Sequence, residues 1–301
     1  MAITSKKKSN RIKTQLFGLV LLLPALFFIL IDIIIPIMWN IILSFQAWSG
    51  MDKARWAGLD NFIRIFTDDV TRTSFFNSFV IAFISALIGV TGGLMLAIMI
   101  YRMKKAEGAL YRLIFFTPTM IPLTVISLLF VFIYNPDIGL LNNVLGMMGL
   151  GVFQHAWLAE RGIVLFALSV TGGWRMVGLT MMLCYTVIIS IPVSLFEAMK
   201  IDGAGYFKQV RMVILPLIKP TLQMCTLLTL IFTFRTYDLV NIMTKGGPGD
   251  LSRTVPLRMI DVGFIYSQFG YSASIGTAFT IIVMIIVFII YRVLRSEIYE
   301  Y

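Results

Sequence analysis

Six long apolar runs dominate the chain, at residues 16–44, 75–101, 113–134, 163–191, 221–243 and 274–294. A hydrocarbon core about 30 Å thick is crossed by roughly 20 apolar residues in a helix, and the helix satisfies its own backbone there. The expected fold class is therefore an all-α polytopic membrane protein with six transmembrane helices. Composition agrees, since charged residues are 13% of the 301, about half the share usual in soluble domains. The first run contains Pro24, Asp32 and Pro36, which predicts a tilted or kinked helix. The preceding "KKKSNRIK" resembles the basic start of a signal peptide. The run is too long for one and lacks a small-residue cleavage site, so a retained span is expected.

Loop charges set the orientation. With the N-terminus inside, 15 basic residues are cytoplasmic: Lys6, Lys7, Lys8, Arg11 and Lys13, then Arg102, Lys104, Lys105 and Arg112, then Lys200, Lys208, Arg211 and Lys219, and finally Arg292 and Arg295. The opposite side holds eight, Lys53, Arg55, Arg64, Arg72, Arg161, Lys245, Arg253 and Arg258, balanced by eight acids. Both termini are thus expected in the cytoplasm, and the net charge of +10 reads as topology, with no nucleic-acid partner. Cys184 and Cys225 lie in apolar runs and His155 stands alone in a polar loop, so no metal site is expected. No G-x-x-x-x-G-K-[ST] phosphate loop occurs, and neither HExxH nor G-x-S-x-G is present, so no catalytic residue is assigned.

One polar loop is unusual. "EAMKIDGAGYFKQVRMVILP" (197–216) joins the fourth and fifth runs. Ser194 and Glu197 have capping-box spacing, and Leu195, Phe196, Met199 and Ile201 form the expected buried side of a short helix. Gly203 and Gly205 permit positive φ and would break it, and a second helical piece leads to Pro216. Physically, two readings stand: an amphipathic helix resting on headgroups, or one docking a partner.

The run resembles the cytoplasmic loop of ABC-importer permeases, in which Glu-Ala-Ala, three residues, Gly, nine residues and Ile-x-Leu-Pro recur. The corresponding positions here are Glu197-Ala198-Met199, Gly203 and Val213-Ile214-Leu215-Pro216, with Met199 and Val213 as departures. Together with "MTKGGPGD" it is similar to the carbohydrate-importer branch, with maltose-importer-like and glycerol-phosphate-importer-like subunits. The resemblance implies a type I ABC importer transmembrane domain over 70–295, including the loop 194–216. A basic segment (1–15), a first transmembrane helix with its outer loop (16–69) and a tail (296–301) complete the chain.

The same resemblance implies partners: a second homologous permease, two copies of a cytoplasmic ATPase carrying ATP and Mg, and an extracytoplasmic solute-binding protein. A carbohydrate substrate and a bacterial cytoplasmic membrane complete the picture, with no cofactor on this chain. The coupling residues it implies are Leu195, Phe196, Glu197, Ala198, Met199, Asp202 and Gly203. Glu197 would meet a basic group on the ATPase, and Leu195, Phe196 and Met199 would be apolar anchors.

Within the runs, ionisable residues mark candidate function. Asp32 is expected near the outer end of the first run, where an interfacial position and a role are both open. Arg175 falls in the outer half of the fourth, beside Gly172, Gly173 and Gly178, which permit close packing or an opening. Thr226, Thr229, Thr233 and Thr236 form one stripe of the fifth run, suited either to packing or to lining a cavity. Arg235 and Asp238 are spaced to form a structural ion pair. By resemblance, sugar contacts would come from Arg175, Met176 and Leu179 and from Thr229, Phe232 and Thr233. The competing class is a stand-alone secondary transporter or channel, for which neither coupling carboxylates nor an internal repeat is evident.

Overall fold

The computed structural model describes residues 21–294. The basic residues at 6–13, the start of the first run at 16–20, Arg295 and the tail at 296–301 lie outside the described residues. The first run forms one helix, α1 (Leu21–Ser44). It widens into a π-turn at Leu30–Ile34, just before Pro36. That turn absorbs the clash a proline ring makes with the carbonyl four residues earlier, so the expected kink is a local widening.

A two-residue antiparallel ladder, β1 (Gln46–Ala47) with β2 (Arg55–Trp56), follows, a small departure from an all-α chain. Next come α2 (Asp60–Thr67) and α3 (Asp69–Tyr101). At 1.5 Å per residue α3 is about 50 Å long, more than the membrane needs, so its ends stand clear of the hydrocarbon.

The third run departs from the expected single span. It forms α4 (Lys105–Met120) and α5 (Leu123–Ile133), bent by 101°. Pro122 causes the break, because it forces Ile121 out of helical geometry to ψ 136°. After α6 (Leu140–Met147) the fourth run forms α7 (Val164–Ser190) without interruption. The loop then supplies α8 (Val193–Ile201) and α9 (Tyr206–Leu217).

The fifth run is also broken. α10 (Lys219–Phe234) stops at Phe234, and α11 (Asp238–Met243) resumes after three non-helical residues. Thr233 and Thr236 donate their hydroxyls back to carbonyls of the preceding turn, an interaction that loosens a helix end. α12 (Val255–Ile260) runs on through a π-turn, and α13 (Phe269–Leu294) closes the fold. Among the described residues, four helices are thus long and apolar enough to cross a membrane, and six spans result when the two bent pairs, α4–α5 and α9–α10, each count as one.

The α3–α7 seam forms the centre. Ser85, Gly89, Gly93 and Ala97 recur every fourth residue of α3 and are all buried. They face Ser169, Gly173, Met176 and Thr180, buried on α7. A Cβ on Gly93 would lie 2.5 Å from the Thr180 Cβ, and one on Gly89 would lie 2.9 Å from the Met176 Cβ. The Ser85 hydroxyl crosses to the Ser169 carbonyl at 2.9 Å. Lipid tails are as apolar as leucine, so membrane helices gain from backbone closeness, not from hiding grease.

At one end of the bundle Asp68 caps α3, accepting from the Thr71 N–H at 3.1 Å. Arg258 donates to the same carboxylate at 2.8 Å and the Tyr271 phenol at 2.9 Å. Arg253 joins Asp250 and Asp261, and the Arg64 guanidinium lies 4.1 Å above the Tyr271 ring. The segments that the charge count puts outside therefore assemble into one capped surface. Gly270 is required there, because a Cβ would collide with the Gln46 carbonyl.

Burial alone would raise the Asp68 carboxyl, but hydrogen bonds from Arg258, Thr71 and Tyr271 outweigh it and hold the pKa at about 2. A depressed carboxylate stabilises the fold above its unfolded pKa of 3.8 and loses that contribution as pH falls through about 2. Asp68→Asn should therefore lower stability at neutral pH by about 2 kcal/mol and flatten the acid limb of melting measured between pH 5 and 2. Gly93→Val should cost about 1–3 kcal/mol from overpacking, read as a lower melting temperature in detergent. Gly151→Ala, where the nearest atom is 3.9 Å from the added methyl, should leave melting unchanged.

Candidate functional site

Two regions gather the expected residues: the 193–217 loop at one end, and the surroundings of Arg175 within the bundle. In the loop, α8 starts at Val193 with Pro192 as its cap and no side-chain cap bond. The expected capping box of Ser194 and Glu197 does not form, because the helix begins two residues earlier than a Ser194 cap would start it and both side chains are exposed. The ordering device is at the other end. Gly203 has φ +70°, the Ala204 N–H reaches the Met199 carbonyl at 2.9 Å and the Gly203 N–H reaches Lys200 at 3.0 Å. These paired bonds around a left-handed glycine terminate the helix. Gly205 keeps an ordinary φ of −64°, so only one of the two glycines carries the break.

The loop is pinned to the end of α3. The Tyr206 hydroxyl donates to the Ile98 carbonyl at 2.9 Å, and Arg102 covers the Tyr206 ring at 4.4 Å. Phe196 is buried against Tyr101, ring centroids 5.9 Å apart. Phe196 therefore anchors α8 to its own chain, and Met199 is half-buried beside it. Leu195, Glu197, Ala198, Asp202 and Gly203 face outward. Ile201, expected on the buried side, is instead 86% exposed, and Phe207 is 88% exposed. Together they form an apolar pair flanking the Gly203 turn. The amphipathic pattern could not separate inward from outward apolar residues in so short a helix.

Arg175 lies 11 residues into α7, about 16 Å from its start. Its carbonyl accepts from the Thr119 hydroxyl at 3.2 Å, and its Nε is buried with no hydrogen-bond partner among the described residues. The glycines around it serve close packing. Gly172 and Gly173 meet α3, and Gly178 abuts the backbone of Phe115 and Phe116 on α4. Trp174 packs edge-on against Phe130, 5.3 Å between centroids.

The α4–α5 break adjoins this place through Thr119. Ile121 and Leu123 from one break and Tyr237 from the other pack on a single cluster that includes Ile126, Phe130, Leu239 and Val240. Non-helical backbone at membrane depth is tolerated only where protein or a watered cavity surrounds it.

The remaining expected contacts are divided. Met176 is buried in the α3 seam and Leu179 is half-buried. Thr229 is fully buried next to Gly89 and bonds the Cys225 carbonyl at 2.8 Å. Thr233 is buried and bonds Thr229 and Leu230 carbonyls. The threonine stripe thus packs in this structure, while Phe232 is 50% exposed. Arg235 and Asp238 are exposed and form no ion pair with each other among the described residues. Asp32 stands 12 residues before Ser44, about 18 Å along α1, close to the middle of that helix.

A bundle of this kind, with apolar spans, two of them bent, and a polar loop before the fifth, has the build of a multi-pass membrane protein. Residues 89–298 match the family described as binding-protein-dependent transport system inner membrane component, and the chain belongs to that family. It is 34% identical over 277 residues to the probable ABC transporter permease protein YurN of Bacillus subtilis, covering 91% of this chain and 93% of that protein. The trehalose/maltose transport system permease protein MalF of Thermococcus litoralis is 29% identical, covering 95% and 93%. A solved bacterial ABC transporter involved in import of the acidic polysaccharide alginate superposes with a TM-score of 0.81 at 20% identity, over 95% of this chain and 97% of that one. The fold is that of a type I ABC-importer permease.

The loop geometry makes a direct prediction. Gly203→Val forces a β-branched residue into left-handed backbone. It should unravel the end of α8 without disturbing the spans, read as protease cleavage between 199 and 208 in an otherwise intact membrane-inserted chain.

Proposed function

We propose that the chain is the translocating subunit of an ATP-driven sugar importer in a bacterial cytoplasmic membrane, with both termini in the cytoplasm. The observation that carries this reading is the rigid outward face of the 193–217 loop, held to α3 by Phe196 and Tyr206. A short helix fixed in this way transmits rigid-body motion, which suits docking to a separate ATPase. Glu197, Ala198, Asp202 and Gly203 would make the contact, with Leu195 and the Ile201–Phe207 pair as apolar anchors. ATP and Mg would belong to that partner, in two copies, and the chain itself would perform no covalent chemistry.

A second permease would complete the cavity, and an extracytoplasmic solute-binding protein would deliver the sugar to the capped end of the bundle. Alternating access would follow from the coupling helices moving as the ATPases close and reopen. Sugar would pass the two helix breaks, where Arg175 offers charge-assisted hydrogen bonds and Phe232 an aromatic face. The sugar class is supported by the relatives' names, and by Arg175 standing with unspent donors at membrane depth.

Glu197→Lys and Gly203→Pro should leave the chain in the membrane but reduce co-purifying ATPase by about tenfold or more, the loss expected when a buried charged contact is reversed. Retention of the ATPase by both variants would refute the docking assignment. Arg175→Ala should raise the sugar concentration for half-maximal uptake by roughly tenfold, in line with one lost charge-assisted bond, whereas Thr229→Val should act mainly through packing.

A further inference from the structure

A pair of adjoining cavities between the first and last spans is left unused by transport. The first, of about 400 Å³, opens at the capped end of the bundle between the β1–β2 hairpin, α2 and the start of α13. Lys53, Arg55 and Arg64 line it together with one acid, Asp52, and Trp48 and Tyr271 add aromatic surface. Lys53 and Arg55 are exposed and enter no salt bridge among the described residues. Arg64 is held in place by Gln268 at 2.8 Å and by the Tyr271 ring.

The second cavity, of about 760 Å³, runs inward between α1 and α13. No residue lines both, but Ala47 and Asn61 line the first and their near neighbours in the chain, Phe45 and Phe62, line the second. Along α1 the groove extends from Asp32 to Phe45, about 20 Å at helical rise. That is deeper than the roughly 15 Å of one leaflet and matches an extended acyl chain. Its walls are mainly aliphatic, with Ile33, Ile37, Ile41 and Ile281 among them, and Asn40 bonds Thr277 at 3.0 Å across its floor. The most apolar window of α1 has none of its residues buried, although Asn40 ties the helix to α13 through the Ala273 carbonyl and the Thr277 hydroxyl.

We propose that the two cavities together bind one anionic phospholipid, with its phosphate headgroup among Lys53, Arg55 and Arg64 and one acyl chain in the α1–α13 groove. Clustered cations and aromatic rings at headgroup level attract anionic lipids. A free phosphate would use only the cationic cavity, whereas the apolar continuation selects an amphiphile. A zwitterionic headgroup would bring a further cation to three already present. The bound lipid would fill the groove beside the Asn40–Thr277 contact and add to the hold of α1 on α13. The site depends only on both helices spanning the membrane, not on what is transported.

Native mass spectrometry of the full-length chain in mild detergent, titrated with phosphatidylglycerol or phosphatidylcholine of equal chain length, tests this. Phosphatidylglycerol should be retained and phosphatidylcholine lost. Lys53→Gln with Arg55→Gln should weaken phosphatidylglycerol about tenfold, with melting in lipid-free detergent unchanged because both residues are exposed. Ile281→Trp, which fills the groove without altering charge, should weaken it as well. Equal retention of both lipids would overturn the proposal, as would native affinity in either variant. Displacement of phosphatidylglycerol by millimolar inorganic phosphate would make the cationic cavity a phosphate site instead. Loss of the lipid from the chain assembled with its partner permease would assign the groove to that partner.

Discussion

The close approach of α3 and α7 is the constraint on which the rest of the structure depends. With a small residue at every fourth position of α3 and Ser169, Gly173, Met176 and Thr180 opposite, the two backbones come near enough for a serine hydroxyl to cross to a carbonyl. In a bilayer this contact replaces the hydrophobic effect as the organising force. α7 then presents Gly178 on another side to α4, and α10 lays its threonines along α3. One pair of helices thereby positions both broken spans, and with them the only arginine of α7.

The two ends of the bundle have different chemistry. The end carrying the hairpin is closed by an ion-pair and hydrogen-bond network around Asp68, Arg258 and Tyr271. The other end uses aromatic contacts, Phe196 on Tyr101 and Tyr206 under Arg102, to hold a loop whose outer face remains open. A closed, cross-linked end suits a fixed platform, whereas an open face on a rigid short helix suits contact with something that moves.

Much of this was legible in the sequence. Long apolar runs announced the spans, loop charges separated the two ends, and the spacing from Glu197 to Pro216 marked the polar loop between the fourth and fifth runs. Pro122 was visible as a residue but not its consequence: whether a proline kinks, widens or bends a helix depends on the space around it. The same residue type gave a π-turn before Pro36 and a 101° bend at Pro122. Ser194 and Glu197 had the spacing of a capping box, yet Pro192 moved the helix start and Gly203 did the ordering. Ile201 and Phe207 were equally apolar to Phe196, and only the packing against Tyr101 decided which of them turned inward.

By itself, then, the sequence determined a helical membrane protein of the binding-protein-dependent importer family, because hydropathy, charge asymmetry and motif spacing are local quantities. The tertiary structure decided what each residue is used for. Threonines that read as a polar stripe are spent on their own helix. Glycines that allowed an opening instead close a seam, and Arg175 is left with an unspent donor beside the α4–α5 break. Those outcomes depend on which backbone passes within a few ångströms of which, and that is a property of the packed bundle, not of any one segment.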